Sequence, residues 1–579
     1  MTSSLEGSSP LAAEAVCGVR DPALAALMAA HWEWYVRWRP TFATTLGDHR
    51  FDAELPRRGE ADVQRYQAEL RVMLERVGAL DAAGLETHDR ETLALVRGDL
   101  EVQLAVEVGR DHEWAVSTAN NPLPELAYLA ESHAVTTPSD GANLVARYRQ
   151  GSRLIDDTIA NLRRGLDGGR VAAHGVVRRV VEQLDQQLVK PTDEWSMLAP
   201  AHAAHDHWSE GEREHFRAGL VAAVGELRPA LARLRDLLHD EVLPRSRTGA
   251  QEGIGALPDG AAAYRARILE HIGVVRSPDE LHALGRAEIA RLDDDLAALG
   301  ATLFGAADLA ATLARLRSDP ALYFTTGDEL VAAATAALDR ATAAVPRWFG
   351  TVPRAPCVVS VIPDYEAPFS TIAYYRQPHY DGSKPGEYFI NTYWPETRPR
   401  YELEALSWHE AVPGHHLQIA IAQQLEDLPM WRRLEGSTAY VEGWALYTER
   451  LADEMGLYSG DLDRLGMLSY DAWRASRLVV DTGLHALGWT RAEAEAFMHA
   501  HTALTAANIA NEVDRYIAWP GQALAYKFGQ LEIFALRRQA EAALGARFAL
   551  PAFHDVVLGA GAVTLPVLRA RVEAWIAAT

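Results

Sequence analysis

A mainly α-helical fold carrying one small antiparallel β-sheet is what this sequence predicts, and three observations predict it. From 21 to about 349, apolar residues recur at intervals of three and four in a text rich in Ala, Leu, Arg and Glu, the pattern of amphipathic helices. Between 357 and 394 the texture switches to β-branched and aromatic runs, which suit strands. From 400 the helical pattern resumes and continues to the C-terminus.

Taken in order, the segments 61–78, 91–108, 171–188, 212–238 and 278–299 read as long amphipathic helices. Turn-rich stretches at 136–141 (TTPSDG) and 249–260 break the array. There is no fixed-period repeat, so a solenoid of recognisable class is not expected. CVVSVI (357–362), STIAYYR (370–376) and EYFINTYW (387–394) are the strand candidates, with the turn stretch 381–386 between the last two. Beyond 400, Pro520-Gly521 is the clearest interruption.

The 579 residues carry 79 acidic against 56 basic side chains, a net charge of −23, and 48% are hydrophobic. Such a chain is apolar enough to bury large cores and too acidic for a nucleic-acid binder or a protein resting on anionic membrane. No window reaches the roughly 18 uncharged apolar residues that span a bilayer. The N-terminal MTSSLEGSSPLAAEAV has no basic region followed by an apolar one, so a cytoplasmic location is expected. Cys17 and Cys357 are the only cysteines; they make neither a disulfide framework nor a thiolate cluster, and any metal must rest on His and carboxylates. Length alone allows about four domains at roughly 150 residues each.

The segment that carries chemistry is Ser407-Trp408-His409-Glu410-Ala411-Val412-Pro413-Gly414-His415-His416-Leu417-Gln418. Three histidines and a glutamate within eight positions of an apolar helix mark a site rather than packing. Neutral imidazole is a favoured zinc ligand, and a Glu beside one ligand is where a metalloprotease keeps its general base, here Glu410. Pro413 and Gly414 abolish the usual HExxH spacing. Proline cannot donate to the helix ladder and glycine permits unusual φ, so the helix widens or breaks between Glu410 and His415. In an undistorted helix His415 lies about 120° off the His409 face, whereas His416 returns to that face about 10 Å along the axis. Both remain candidates for the second ligand beside His409. Glu442, 26 residues beyond His416 in EGWALYTERL, is the candidate third ligand, with Gly443 giving close approach. Glu449, two turns on, is its rival or a partner that orients a ligand imidazole.

Four motifs in order, HEAVPGHHLQ, EGWALYTERL, RLVVDTGLHALGW and EVDRYIAWPGQALAYKFG, together with DGSKPGEYFINT in the sheet region, resemble the bacterial domain-of-unknown-function family 885. Its members look like zinc peptidases with a stretched HExxxGHH-type signature, distantly similar to helical gluzincins such as thermostable carboxypeptidases and thimet oligopeptidase. The resemblance is strongest over 371–529 and weaker in the N-terminal helices. It implies a gluzincin-like helical shell around a deep channel, with one zinc ion per chain held by two His and a Glu. It also implies a Tyr and a His from the C-terminal helices to steady the oxyanion, places that Tyr526 and His485 fill.

Other donors in these motifs are Tyr516, Arg474 and Arg477. Arg477, Arg515 and Lys527 are the cations available to pair with a substrate carboxylate, and the sheet edge 371–375, with Tyr374, can hold an extended peptide by main-chain bonds. A second cluster, His202, His205 and His207, lies in a polar turn-like stretch and reads as solvated. The expected organisation is a helical lobe at 1–355 forming one wall of a cleft. A catalytic lobe follows at 356–579, with sheet 357–394, metal-binding helices 400–455 and C-terminal helices 456–579, and the two form one continuous body. The expected function is zinc-dependent hydrolysis of short peptides with Glu410 as base. The alternatives are a zinc hydrolase of a non-peptide amide or ester, and a helical binding protein that keeps metal ligands without turnover.

Overall fold

A computed structural model describes residues 9–363, 367, 371–379, 382 and 384–579. The first eight residues of the N-terminal stretch, and Ser370, Asp381 and Ser383 of the sheet region, lie outside the described residues. The chain divides into two units, Met1–Ala263 and Tyr264–Thr579, and no single helix among the described residues is long and apolar enough to cross a membrane.

In the first unit, Glu60–Gly78, Thr87–Val106 and His174–Val189 are helices where the three-and-four apolar spacing places them. The segment 212–238 resolves into Glu210–Gly225 and Leu227–Asp236, followed by one π-helical turn, Leu237–Val242. TTPSDG, read as a break, is a helix start. Thr137 accepts from the Asp140 N–H, Asp140 accepts from the Thr137 N–H, and this capping box opens the helix Pro138–Arg149. Leu126, Leu144, Tyr148, Ile155, Val177, Leu184, Leu220 and Leu231, recurring at helical spacing, form its buried core.

The second unit begins with helices that the sequence boundary at 355/356 assigned to the other lobe. They belong here because α1 (Pro278–Phe304) packs along α5 (Asp461–Ala486): a Cβ on Gly285 of α1 would lie 2.7 Å from the Leu478 side chain. Between them in sequence come β1 (Cys357–Val361), β2 (Ala373–Arg376), β3 (Gly386–Ile390), α2 (Leu403–Glu410), α3 (His415–Gln423) and α4 (Thr438–Glu454). After α5 follow α6 (Ala506–Ala518) and α7 (Leu524–Leu544).

The sheet is mixed rather than antiparallel. Its order is β1-β3-β2, with β1 parallel to β3 and β2 antiparallel to it. Burial explains the order: Tyr388, Phe389 and Ile390 of β3 are buried and suit the central place, whereas Val358 and Val361 of β1 are exposed as on an edge.

Helices α4 and α7 cross at two glycines. A Cβ on Gly443 would lie 2.5 Å from the Gly529 Cα, and one on Gly529 would lie 1.8 Å from the Ala439 carbonyl oxygen. Backbone cannot give way as a flexible side chain can. Gly443→Ala is therefore expected to lower stability by about 1–3 kcal/mol, despite the better helix propensity of Ala. Thermal or urea denaturation measures this, and an unchanged or higher midpoint would refute the close crossing.

Candidate metal centre

The helix carrying Ser407-Trp408-His409-Glu410 ends at Glu410, and a new helix starts at His415. Ala411 (φ −103°, ψ −108°) and Gly414 (φ −76°, ψ −129°) leave helical geometry between them. The close turn explains Gly414: a Cβ there would lie 2.0 Å from the His409 carbonyl oxygen. Helix α4 fastens the break, with Trp444 Nε1 donating to the Pro413 carbonyl (3.0 Å) and Thr448 Oγ1 to the Trp408 carbonyl (3.2 Å).

This break brings the His415 ring beside the His409 ring, centroids 4.8 Å apart and nearly perpendicular. From α4, Glu442 Oε2 lies 3.7 Å from His409 Nε2 and 3.5 Å from His415 Nε2. These three side chains can hold a metal ion, their ligand atoms lying within 4.8 Å of one another. Glu442 Oε2 is buried with no hydrogen-bond partner, because both imidazoles stand slightly too far away to donate. Two atoms bound to one tetrahedral zinc at ~2.0–2.1 Å stand about 3.3 Å apart, so the observed spacing suits an ion between them better than hydrogen bonds.

Two turns along the same face of α4, Glu449 Oε1 accepts from His409 Nδ1 at 2.8 Å. Glu449 is 1% exposed, and its bond orients the ring so that Nε2 faces Glu442 and His415. Burial disfavours a charged His409, but Glu442 and then Glu449 outweigh it and raise its pKa to about 9. Burial likewise opposes charge on Glu442, yet His409 and His415 hold its carboxyl well below the usual carboxylate range. An electron-rich nitrogen and oxygen donor set results, suited to a divalent cation.

His416 does not join it. Its Nε2 bonds the Ala355 carbonyl (3.0 Å) and its Nδ1 accepts from the Tyr375 hydroxyl (2.9 Å). Of the two open candidates, His415 is the one that the helix break carries to His409.

Glu410 is half-buried, beside His409, and makes no hydrogen bond to any described residue. The Tyr526 ring stacks at 6.4 Å from the His409 ring. Its hydroxyl accepts from Gln522 Nε2 (3.4 Å), and burial, reinforced by Glu442, raises its pKa, so it stays a proton donor. His485 is placed differently from the sequence reading. Its Nε2 bonds the Tyr516 carbonyl (3.0 Å) and its ring packs on Tyr264, so this donor holds helices together rather than facing an oxyanion.

Of the expected substrate cations, Lys527 is structural. It is 1% exposed, and its ammonium is spent on Asp471 (2.6 Å), Gln530 (2.8 Å) and Glu288 (3.1 Å). Arg515 is committed to Glu512 and to Gln522 (2.7 Å), whereas Arg477 lies over the Tyr526 ring at 4.2 Å. Tyr374 stacks on Phe389 at 4.9 Å in the small core beside the sheet; its neighbour Tyr375 faces the histidine motif instead. Sequence reasoning gave Tyr375 only as the end of a sheet edge and passed over Asp471 and Glu512, of which only the Glu512–Arg515 spacing of three signalled a pairing. In the other cluster His205 bonds the Pro200 carbonyl (2.7 Å) and stacks on Trp208, while His202 and His207 are exposed.

A mainly helical protein with a small three-stranded sheet and a His-His-Glu site that can hold a metal is the class these features define. The chain belongs to the family described as bacterial protein of unknown function (DUF885), whose model matches residues 40–572. A solved structure described as the putative lipoprotein from Colwellia psychrerythraea is 26% identical, with a TM-score of 0.89 over 96% of this chain and 100% of that one. A putative lipoprotein of unknown function from Shewanella oneidensis, 19% identical, shares the fold with a TM-score of 0.73 over 95% and 98% of the two chains. A putative oligoendopeptidase F from Bacillus anthracis reaches a TM-score of only 0.29 at 10% identity over 90% and 97%, too low for a shared fold. No curated protein matches.

Proposed function

We propose that this protein is a zinc-dependent peptidase acting on short peptides. The observation that carries this reading is the orphaned Glu442 Oε2, buried 3.5 and 3.7 Å from two imidazole nitrogens, with the carboxylate of Glu410, which bonds no described residue, next to one of them. His409, His415 and Glu442 would hold the ion, which supplies Lewis acidity to a carbonyl and acidity to water. Glu410 takes a proton from the attacking water and passes it to the amine as the C–N bond breaks. Tyr526, kept protonated by burial, donates a hydrogen bond to the oxygen that becomes negative. Glu449 holds the His409 ring throughout.

Metal analysis and a peptide-library digest test the reading together. The purified protein is expected to hold about one zinc per chain, to lose peptide cleavage on chelation and to regain it with zinc. Failure to take up zinc or another transition metal after reconstitution would overturn it. Zinc uptake with cleavage of esters or non-peptide amides alone would favour the other hydrolase, and uptake with no hydrolysis a binding protein. The lipoprotein names of the two relatives weigh against the expected cytoplasmic location, which cell fractionation decides.

A further inference from the structure

Two buried guanidinium groups on one face of α5 lack the hydrogen-bond partners that burial calls for. Arg474 is 4% exposed, and its Nε and Nη1 are buried without a partner. It makes no hydrogen bond to any described residue. Arg477, one turn on and 3% exposed, spends Nε on the Tyr516 hydroxyl (3.0 Å) and Nη2 on Glu512 (3.1 Å), but its Nη1 is buried with no partner. Both lie against Trp473, with guanidinium carbons 4.1 and 4.6 Å from its ring centroid. Tyr470, 4.3 Å from the Arg474 guanidinium, has a hydroxyl that is also buried without a partner.

Aromatic faces offset part of the cost of burying a cation, but N–H groups without acceptors remain expensive. Glu402 is an acid whose charge acts with Arg474, and the two form no ion pair. Burial pushes the Glu402 carboxyl up to about 7 against the pull of Arg474, so it compensates the guanidinium poorly at neutral pH. A planar carboxylate, accepting two N–H groups side by side, is the ligand that completes such a site. The place matters as much as the chemistry. Arg477 lies 4.2 Å over the Tyr526 ring, which stacks in turn 6.4 Å from His409. Two or three extended residues, at about 3.3–3.6 Å each, span that gap.

We infer that Arg474 and Arg477 bind the free C-terminal carboxylate of the substrate, so that cleavage falls within a few residues of the C-terminal end of short peptides. This inference rests on the peptidase reading for its cleavage step and on the orphaned guanidinium groups for its carboxylate.

Pools of N-acetylated tetrapeptides, as C-terminal acids and as the same sequences amidated, test it in two ways. Hydrolysis by the zinc-loaded protein is expected to favour the acids in kcat/KM by on the order of 10²-fold or more, since a site built to hydrogen-bond a group rejects the analogue lacking it. Equilibrium binding should show the same preference. Arg474→Gln and Arg477→Gln should each bring the acid-to-amide ratio down towards one, whereas a merely structural role slows acids and amides alike and leaves the ratio where it was. Equal hydrolysis of acids and amides overturns the inference while the peptidase reading stands. So does a preference that follows internal Asp or Glu in the amidated pool. Preferential binding of acids with no hydrolysis has the opposite meaning: the carboxylate site stands and the peptidase reading falls. The acid–amide comparison uses the unsubstituted protein, so it decides the matter even where either arginine variant folds poorly.

Discussion

Glu410→Gln is expected to keep the fold and the metal while lowering peptide hydrolysis by about 10²–10⁴-fold, the usual worth of a general base. The separation of effects follows from where the side chain stands. Glu410 closes α2 next to the ligand His409, yet it bonds no described residue, and the three candidate ligand atoms belong to other side chains. Gln has nearly the same shape, and with no partner among the described residues to lose, its folding cost is small. What disappears is proton affinity. The charge of Glu410 already reaches the buried Tyr388 hydroxyl, whose pKa is raised by burial first and by Glu410 in addition, so an amide here also removes a local negative field. Zinc content, denaturation midpoint and kcat/KM on one peptide pool check the three parts. Undiminished hydrolysis would show that Glu410 is not the base, and a large fall in midpoint would make it a structural residue.

The architecture was legible because helical periodicity is local. The runs at 61–78 and 278–299 became Glu60–Gly78 and Pro278–Phe304 with little change. The sheet was legible as strands but not as a topology, because β3 takes the centre through burial by elements distant in sequence. At the site, His409, Glu442 and the orienting Glu449 could be read from residue type and spacing. Lys527 and His485 could not. Sequence shows that a side chain has donors, but not that Asp471, 56 residues before Lys527, or the Tyr516 carbonyl, 31 residues after His485, has already claimed them. Arg474 is the converse: that its Nε and Nη1 are buried without a partner, and hence available to a ligand, is a property of packing alone.

The two adjacent histidines are expected to fail in opposite ways. His415→Ala removes one of three candidate ligands and should weaken zinc retention by more than the roughly 10–100-fold that loss of an outer partner such as Glu449 costs. His416→Ala should retain zinc within a few-fold and lose about 1–3 kcal/mol of stability. The reason lies in the imidazole itself. Burial lowers the His416 pKa to about 4, against the lesser opposing effect of its bond to Ala355, so the ring is neutral at pH 7 and has one N–H and one lone pair. Nε2 gives the N–H to the Ala355 carbonyl, and Nδ1 offers its lone pair to the Tyr375 hydroxyl. A single tautomer satisfies both bonds, and no lone pair is left for a metal. The ring is also tightly enclosed, since a Cβ on Gly386 at the start of β3 would lie 2.4 Å from Nδ1. Removing it leaves a partly buried hydroxyl and a carbonyl unpaired and ties the sheet less firmly to α3. Metal analysis beside denaturation separates the two variants: equal zinc retention in both, or loss confined to His416→Ala, would reject His415 as the ligand and with it the role given to the break at Pro413-Gly414.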